Sequence, residues 1–410
     1  MKISAPAYTQ TDSFARVSST FTFSNGEQHE IFFETTPEFG QYLVHEVADA
    51  FIISALLPAL VNGEDIYVDR VSSSVRYNFD ALMYLFGKIF SYSPIKLHAE
   101  EVLDINFEPK AVGTGFSGGV DSLLTYLEHT SDECPENLRV DHLALFNVGA
   151  YGNDPVKTSK NFHEDLERAK KFSNQVNIPL VPLNSNLSSI YTHKDIFHYS
   201  LRIELCLSAG ILSLQKLFRQ YYISSSYTIE QTRLHKHSQT HYESLISQRL
   251  STENTNIMIS EVHYNRVEKT KKILASDLTA QHLYVCNADL MNEKWGEHNE
   301  KEGYLNCSEC FKCVRTLLTI DILGKLDQFG NLFNLEKYKK QKDQLILNMY
   351  QLRHKDPFQK EIYELFIETN SQFTPSQLKL IKAWERKQLP HRILRKVRSV
   401  LGKIKHKIFK

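Results

Sequence analysis

Six consecutive residues, Ser117-Gly118-Gly119-Val120-Asp121-Ser122, combine two glycines, two hydroxyls and a carboxylate. The run 111–116 before them is short and apolar, which predicts a buried strand, and 121–127 carries leucines that can face a core from one helix. Glycines at such a junction permit positive φ, while the free N–H groups and dipole of the helix favour an anion. The segment predicts a phosphate site.

Asp121 is unexpected in an anion site, because a carboxylate repels phosphate. A divalent cation would resolve the conflict, since magnesium binds carboxylate and phosphate oxygens together. The alternative is an ordinary strand-to-helix turn in which Asp121 is a first-turn carboxylate. The order of strand, glycines, acid and helix favours a site for the phosphates of a nucleotide over an ordinary turn.

The second pattern with chemical meaning is Cys307-Ser308-Glu309-Cys310-Phe311-Lys312-Cys313, a C-x2-C-x2-C array. Cys286, at the end of a predicted strand over 283–285, could complete a tetrahedral four-cysteine zinc site with sulfurs about 2.3 Å from the metal. An iron–sulfur cluster on Cys307, Cys310 and Cys313 is the rival, because cluster proteins use the same spacing. Cys134 and Cys206 have no such partners in the sequence.

The elements that must position these residues follow from pattern. A chain of 410 residues, 42% hydrophobic, can bury a substantial core. Residues 20–33 predict a hairpin turned by Asn25-Gly26, and 44–60 and 77–90 predict helices. Strands alternate with helices from residue 109, which predicts an α/β fold with a doubly wound parallel sheet. Its five strands are expected at 111–116, 140–146, 178–183, 221–224 and 256–260, with an apolar helix over 201–218 before the fourth.

Five regions are expected. They are an α+β N-terminal region (1–108), an ATP-binding domain (109–280), a four-cysteine zinc lobe (281–330), a helical extension (331–385) and a basic amphipathic tail (386–410).

Ligands in doubly wound sheets bind beyond the carboxyl ends of the strands. Polar candidates at those ends are Asn147, Gly149, Tyr151, Asn184, Ser185, Ser224, Ser225, Ser226 and Tyr227. Arg202 is a further, weaker cation candidate. His235, His237 and His241 suggest a metal site, but no paired carboxylate accompanies them, so a loop near the substrate is the preferred interpretation.

The segment SGGVDS resembles the SGGxDS signature of the PP-loop ATP pyrophosphatases and is not a Walker A loop. That family cleaves ATP between its α and β phosphates, transfers AMP to a substrate oxygen and releases pyrophosphate. The resemblance implies ATP and Mg²⁺ as cofactors. It implies Asp121, Lys269 and Arg266 as catalytic residues, the last two at a helix start after the fifth strand. The candidate nucleotide-binding residues are Phe116, Ser117, Gly118, Gly119, Val120, Asp121 and Ser122, together with Asn147 from the strand-end rule.

Together with the cysteine array, the loop resembles the 7-cyano-7-deazaguanine synthase family over residues 111–325, and also bacterial proteins of the same superfamily. The resemblance implies a Zn²⁺ site formed by Cys286, Cys307, Cys310 and Cys313. This chain differs from the family in having about 108 extra N-terminal residues, twenty residues between Cys286 and Cys307, and a long C-terminal extension. This chain can therefore share the chemistry of the family without sharing its substrate.

Three functions follow as alternatives. The first is an ATP-dependent ligase that adenylates a carboxylate or carbonyl oxygen of a small molecule for attack by ammonia or an amine. The second is a sulfur-transferring RNA-modification enzyme with an iron–sulfur cluster, and the third is a non-catalytic nucleotide-binding component. No glutaminase-like segment is evident, so ammonia would be free or supplied by a partner. A homo-oligomer is expected.

The net charge of zero conceals an asymmetry. Residues 385–410 contain ten Lys or Arg residues and one acid, Glu385, and apolar residues recur there at helical spacing. Such a helix can lie on an anionic membrane, bind nucleic acid or a partner, or pack on the acidic body of the chain. No apolar run is long enough to span a bilayer, so we expect a cytoplasmic protein with possible peripheral attachment to the inner membrane face.

Overall fold

The structure, a computed structural model, describes residues 1–152, 154–286 and 303–388. The described residues up to Val285 form one compact unit, and Cys286 with the described residues from 303 onward forms a second. The boundary expected at residue 108 falls inside the first unit. The predicted tail lies outside the described residues except for 386–388.

The first unit is α/β, with a large, mostly parallel central sheet. Its strands are β1 (Lys2–Ile3), β2 (Ala7–Gln10), β3 (Ala15–Thr22), β4 (Gln28–Thr35), β5 (Ile66–Ser72), β6 (Leu97–Leu103), β7 (Ala111–Gly115), β8 (His142–Asn147), β9 (Leu180–Ser185), β10 (Phe218–Ser224) and β11 (Asn256–Ser260). They lie in the order β11-β10-β7-β8-β9-β4-β3-β1-β5-β6, and β2 pairs with β3.

The five strands expected from the alternating pattern are β7 to β11, and all their pairings with one another are parallel. The sheet is larger than predicted, because the N-terminal strands continue it. β3 and β4 form the expected antiparallel hairpin, and β4 pairs with β9 through Phe33 opposite Ser185 and Glu34 opposite Asn184.

Helices cover both faces of the sheet, which is why β7 is buried along nearly its whole length. The helices of this unit are α1 (Asp49–Asn62), α2 (Ser73–Phe90), α3 (Val120–Thr130), α4 (Pro155–Val176), α5 (Ile203–Leu212), α6 (Glu243–Leu250), α7 (Arg266–Ile273) and α8 (Asp277–His282). One group of contacts joins α1, α2, α5 and α6; elsewhere α3 contacts α7, and α4 packs on β8 and β9.

Three predicted helices have different bounds in the structure, and the one expected over 77–90 begins earlier, at Ser73. The helix expected over 44–60 begins only at Asp49, and the helix expected over 201–218 ends at Leu212, so Phe218 begins β10 instead. The helices observed within 44–60 and 201–218 are apolar on nearly every side, so hydrophobic periodicity does not mark their ends. The strand expected over 283–285 is wrong, because these residues are irregular.

The second unit is helical. It contains α9 (Phe311–Ile322), α10 (Leu335–Leu352) and α11 (Pro357–Glu368), and residues 375–388 are also helical. The start predicted at Thr374 is confirmed, because Gln377 N donates to Thr374 Oγ1 at 3.3 Å and Thr374 N to Gln377 Oε1 at 3.0 Å. Across the described residues, no helix combines the length and apolar character needed to cross a bilayer.

Candidate functional site

The glycine loop between β7 and α3 has a backbone conformation that favours glycine. Gly118 has φ +74°, and a Cβ there would lie 3.1 Å from the carbonyl oxygen of His282 and 3.3 Å from Cβ of Tyr284. Tyr284 N donates to Gly118 O at 2.8 Å, which fixes the loop from behind. Only glycine fits position 118 without strain.

The two serines of the loop contact each other. Ser117 Oγ and Ser122 Oγ are 3.1 Å apart, and the Ser122 hydroxyl donates to Gly119 O at 3.2 Å. Gly119 is the residue before the first turn of α3, so the helix starts with N–H groups that no side chain caps. The loop therefore offers backbone and hydroxyl donors together at a helix N-terminus.

Asp121, in the first turn of α3, contacts two cations from α7. Its carboxylate lies 2.6 Å from Arg266 Nη1 and 3.4 Å from Lys269 Nζ. The three predicted catalytic residues are thus brought together, although about 145 residues of sequence separate Asp121 from Arg266. The cations start a well-capped helix, because Asn265 and Glu268 form a reciprocal capping box.

Lys269 is almost completely buried, and its ammonium donates to Ser225 O at 2.6 Å and to Ser225 Oγ at 2.7 Å. Burial lowers its pKa, and the adjacent Asp121 carboxylate opposes that shift. A buried ammonium at the end of β10 is therefore held between a carboxylate and a strand-end carbonyl. Ser225 is one of the strand-end candidates.

A buried polar network lies next to this cluster, and most of it is absent from the prediction. Thr125 Oγ1 is 2.7 Å from Ser224 Oγ and also donates to Glu261, which has φ +52°. His129 Nε2 lies 2.6 Å from Ser260 Oγ and 3.3 Å from Glu261. The network connects α3 to the ends of β10 and β11, and Glu261 at the end of β11 was available to the same strand-end rule.

Asn147 lies at the end of β8, adjacent to β7, and is buried. Its Nδ2 donates to Asn184 Oδ1 at 2.7 Å, whereas its own Oδ1 is buried without a hydrogen-bond partner among the described residues. The two asparagines predicted at neighbouring strand ends thus meet. Phe116 and Val120 are buried on either side of the loop, and Phe116 stacks on Phe172 at 3.9 Å.

The histidines of the segment 232–243 do not form a metal group in the described part of the chain. His241 stacks on Tyr227 at 4.1 Å, and Arg233 Nη2 lies 3.4 Å from its Nε2. Burial lowers the pKa of His241 to about 4, so the ring is neutral near pH 7. The arrangement fits a loop wall better than a metal site.

Glu204 and Glu243, at the starts of α5 and α6, were not predicted as site residues. Both side chains are buried, and Ser226 N donates to Glu243 Oε1 at 3.0 Å. Burial raises the pKa of Glu204 to about 7 and raises that of Glu243 as well. An acid within a largely apolar helix segment has no sequence pattern of its own, so only the fold reveals this pair.

The four predicted cysteine ligands converge in the second unit. Their sulfur atoms all lie within 4.8 Å of one another, and all four residues are buried. Cys307 Sγ and Cys313 Sγ are 3.8 Å apart. Four sulfurs about 2.3 Å from one tetrahedral ion would stand about 3.8 Å apart. A multi-iron cluster spreads its thiolates farther, because each binds a different iron.

The backbone around the cysteines supports thiolate charge. Cys310 N donates to Cys307 Sγ at 3.1 Å and Cys313 N to Cys310 Sγ at 3.5 Å, with Ser308 at φ +63° between them. Buried Asn306 accepts from Cys286 N at 3.1 Å through its Oδ1, so the distant fourth cysteine is fixed by a side chain.

The donor set fits a metal ion such as zinc. The hydrogen bond from the Cys307 thiol lowers the pKa of Cys286 to about 7, while contact with Cys286 raises the pKa of both Cys307 and Cys313. Four crowded thiols cannot all ionise on their own, and a cation removes that obstacle. Cys134 and Cys206 are free thiols outside this group.

No family model, curated protein or solved structure matches the chain. The functional conclusion therefore rests on the geometry of the two sites and on the resemblance of their motifs.

Proposed function

We propose that this protein is an ATP-dependent ligase of the PP-loop type that adenylates a carboxylate or carbonyl oxygen. The single observation that carries the proposal is the convergence of Asp121, Arg266 and Lys269 on the positive-φ glycine loop. β7 is also the point where the order of the parallel strands reverses, since β8 and β9 lie on one side and β10 and β11 on the other. Ligands bind at such points in open α/β sheets.

In the proposed reaction a substrate oxygen attacks the α-phosphorus of ATP. The bond from that phosphorus to the bridging oxygen breaks, and pyrophosphate leaves with its electron pair. Ammonia or an amine then attacks the activated carbon, and AMP departs with the substrate oxygen. The protein supplies no nucleophile; it contributes positioning and charge stabilisation.

Each loop residue has a defined part in this proposal. The N–H groups of the loop with Ser117 and Ser122 would hold the phosphates, and Arg266 and Lys269 would neutralise the charge that develops on pyrophosphate. Asp121 would hold Mg²⁺, which supplies charge neutralisation between the phosphates. Asp121 contacts both cations in the structure. When nucleotide and Mg²⁺ bind, the phosphates would have to replace Asp121 at the two cations, and Mg²⁺ would have to replace the cations at Asp121.

In this proposal the four-cysteine centre has a structural role. Its sulfurs are buried and close together, which suits a closed zinc site and leaves no open coordination position for chemistry. That geometry speaks against the sulfur-transfer alternative.

The test is formation of AMP and pyrophosphate from ATP and Mg²⁺ in the presence of small carboxylic acids and ammonia, for the wild type and Asp121→Asn. Glu128→Gln is the matched control, because Glu128 lies on the same helix and pairs with Lys272 away from the loop. We expect turnover in the wild type and the control only. Nucleotide binding without any AMP in all three proteins would favour the non-catalytic alternative.

A further inference from the structure

Arg202 is a buried cation without an acidic partner. Its residue is 1% exposed, and the described part of the chain places no carboxylate within ion-pair distance of its guanidinium. Glu204, two residues later, hydrogen bonds to Glu243 instead. Arginine keeps its charge in proteins, so burial cannot neutralise it as it can a lysine. An uncompensated buried charge is unfavourable and needs an explanation.

The contacts of Arg202 hold the guanidinium in place without neutralising it. Nη1 donates to Phe197 O at 2.9 Å and to Ile196 O at 3.3 Å, and the group lies 4.4 Å above the ring of Tyr191. Nε is buried without a hydrogen-bond partner in the described residues. The Cys206 thiol also interacts with the guanidinium. Part of the fork is therefore fixed, while Nε keeps an unused donor, and an unused donor on a charged fork can bind an anion.

The remaining donors lie at the functional edge of the sheet. A Cβ on Gly149, two residues beyond β8, would stand 3.5 Å from Arg202 Nη2, and Gly149 has φ +107°. β8 is the neighbour of β7, whose end carries the glycine loop. Asn147 on the same strand end has an unsatisfied buried Oδ1. Two buried polar groups with unsatisfied hydrogen-bonding capacity thus belong to the same strand end, Asn147 as the last residue of β8 and Arg202 through its approach to Gly149.

We propose that Arg202 forms a subsite for an anionic group of the acceptor, and that the acceptor carries a carboxylate. This assignment rests on the proposed function for its meaning, since the carboxylate oxygen is what adenylation would activate. The same fork could instead take a phosphate of the nucleotide, and the experiment separates the two sources.

The experiment uses the full-length protein and acetate as the probe, with acetamide as its neutral isostere. Thermal melting is recorded against acetate at constant ionic strength, and separately against ATP with Mg²⁺, so no turnover is needed. Stabilisation that depends on ligand concentration reports the dissociation constant. For the wild type we expect stabilisation by acetate and not by acetamide.

Arg202→Met should raise the acetate dissociation constant at least about tenfold, because a charge-assisted hydrogen bond is lost, and should leave the ATP response unchanged. Arg202→Lys keeps the charge without the fork and should give an intermediate acetate response. It replaces the Met variant in the test if that variant does not fold. Arg16→Met is the matched control, since Arg16 also lies over an aromatic ring, Phe32, but has its own carboxylate, Glu34.

Equal acetate responses in the wild type and the Arg202 variants would overturn the subsite. Loss of the ATP response with an intact acetate response would also overturn it, by assigning the arginine to the nucleotide. An acetate response that needs Arg202 in a protein that ignores ATP would support the subsite and defeat the proposed function.

Discussion

The two candidate sites are built in opposite ways. Three of the four cysteines lie within seven residues, and backbone N–H groups of the same segment bond to their sulfurs. The glycine loop supplies only part of its own site, because its cations come from α7, Tyr284 N donates to Gly118 O, and Ser225 O accepts from Lys269. A metal site can be local because one ion organises it, whereas the loop site depends on the sheet.

The cysteine centre should therefore lose more stability than the glycine loop when one of its residues is substituted. Cys310→Ser should lose the metal and several kcal/mol of the about 10–16 kcal/mol that structural zinc supplies. Elemental analysis and thermal melting measure both, and Cys134→Ser, outside the centre, is the control. A Cys310→Ser protein that melts like the wild type would remove the structural role. The purified protein should also be colourless, since a cluster would absorb visible light.

The glycine loop should lose function without losing its fold. Asp121→Asn keeps the shape of the side chain and removes its charge, so we expect AMP formation to fall by about 10²–10³-fold. The measurement is single-turnover AMP release, with a melting curve to check the fold. Unchanged AMP release would mean that Asp121 is only an ion-pair partner of Arg266 and Lys269.

Lys269 tests whether the cations of α7 belong to the site. Lys269→Met keeps the buried stem, removes the ammonium and should slow AMP formation by about 10–100-fold, the effect of losing one charged contact. Lys272→Met on the same helix is the control, because Lys272 pairs with Glu128. Similar rates for the two variants would contradict the assignment.

Glu204 concerns the pH dependence of stability, where the expected effect is smaller than the loss of the metal. Its pKa is near 7 in the folded protein and near 4.5 when unfolded, so the folded state binds more protons between those values. Stability should therefore fall as pH rises from about 4.5 to 7. Glu204→Gln mimics the protonated carboxyl, so it should remove up to about 2–3 kcal/mol of the stability change between these pH values. Denaturant unfolding at several pH values measures it, with the partly exposed Glu164→Gln as the control.

The sequence predicts the cysteine centre more completely than the site at the glycine loop. The cysteine ligands were identifiable from spacing, and their convergence is confirmed. Strand Asn256–Ser260 was predicted with its observed bounds, because turn residues flank an apolar run. The contact between Asp121 and Arg266 was not derivable from either motif alone; the resemblance named both residues, but only the packing of α3 on α7 joins them.

The errors also have physical causes. Predicted helix ends failed in α1 and α5, because these helices are apolar on nearly every side and hydrophobic periodicity does not locate their ends. The pairing of β4 with β9 was missed because it joins segments about 150 residues apart, and hydrophobic alternation does not identify a partner. Arg202, Glu204 and Glu261 were missed or ranked low, because burial of a charged residue cannot be read from its neighbours in sequence.

The short pairing of β4 with β9 has a consequence for dissecting the protein. A fragment starting at residue 109 would expose the edge of β9 and remove Phe33 and Phe51 from the shared core. Unpaired strand edges beside apolar surface associate with other chains. The segment that looks like an excisable nucleotide module would therefore be prone to aggregation, and the N-terminal strands protect the sheet as much as they extend it.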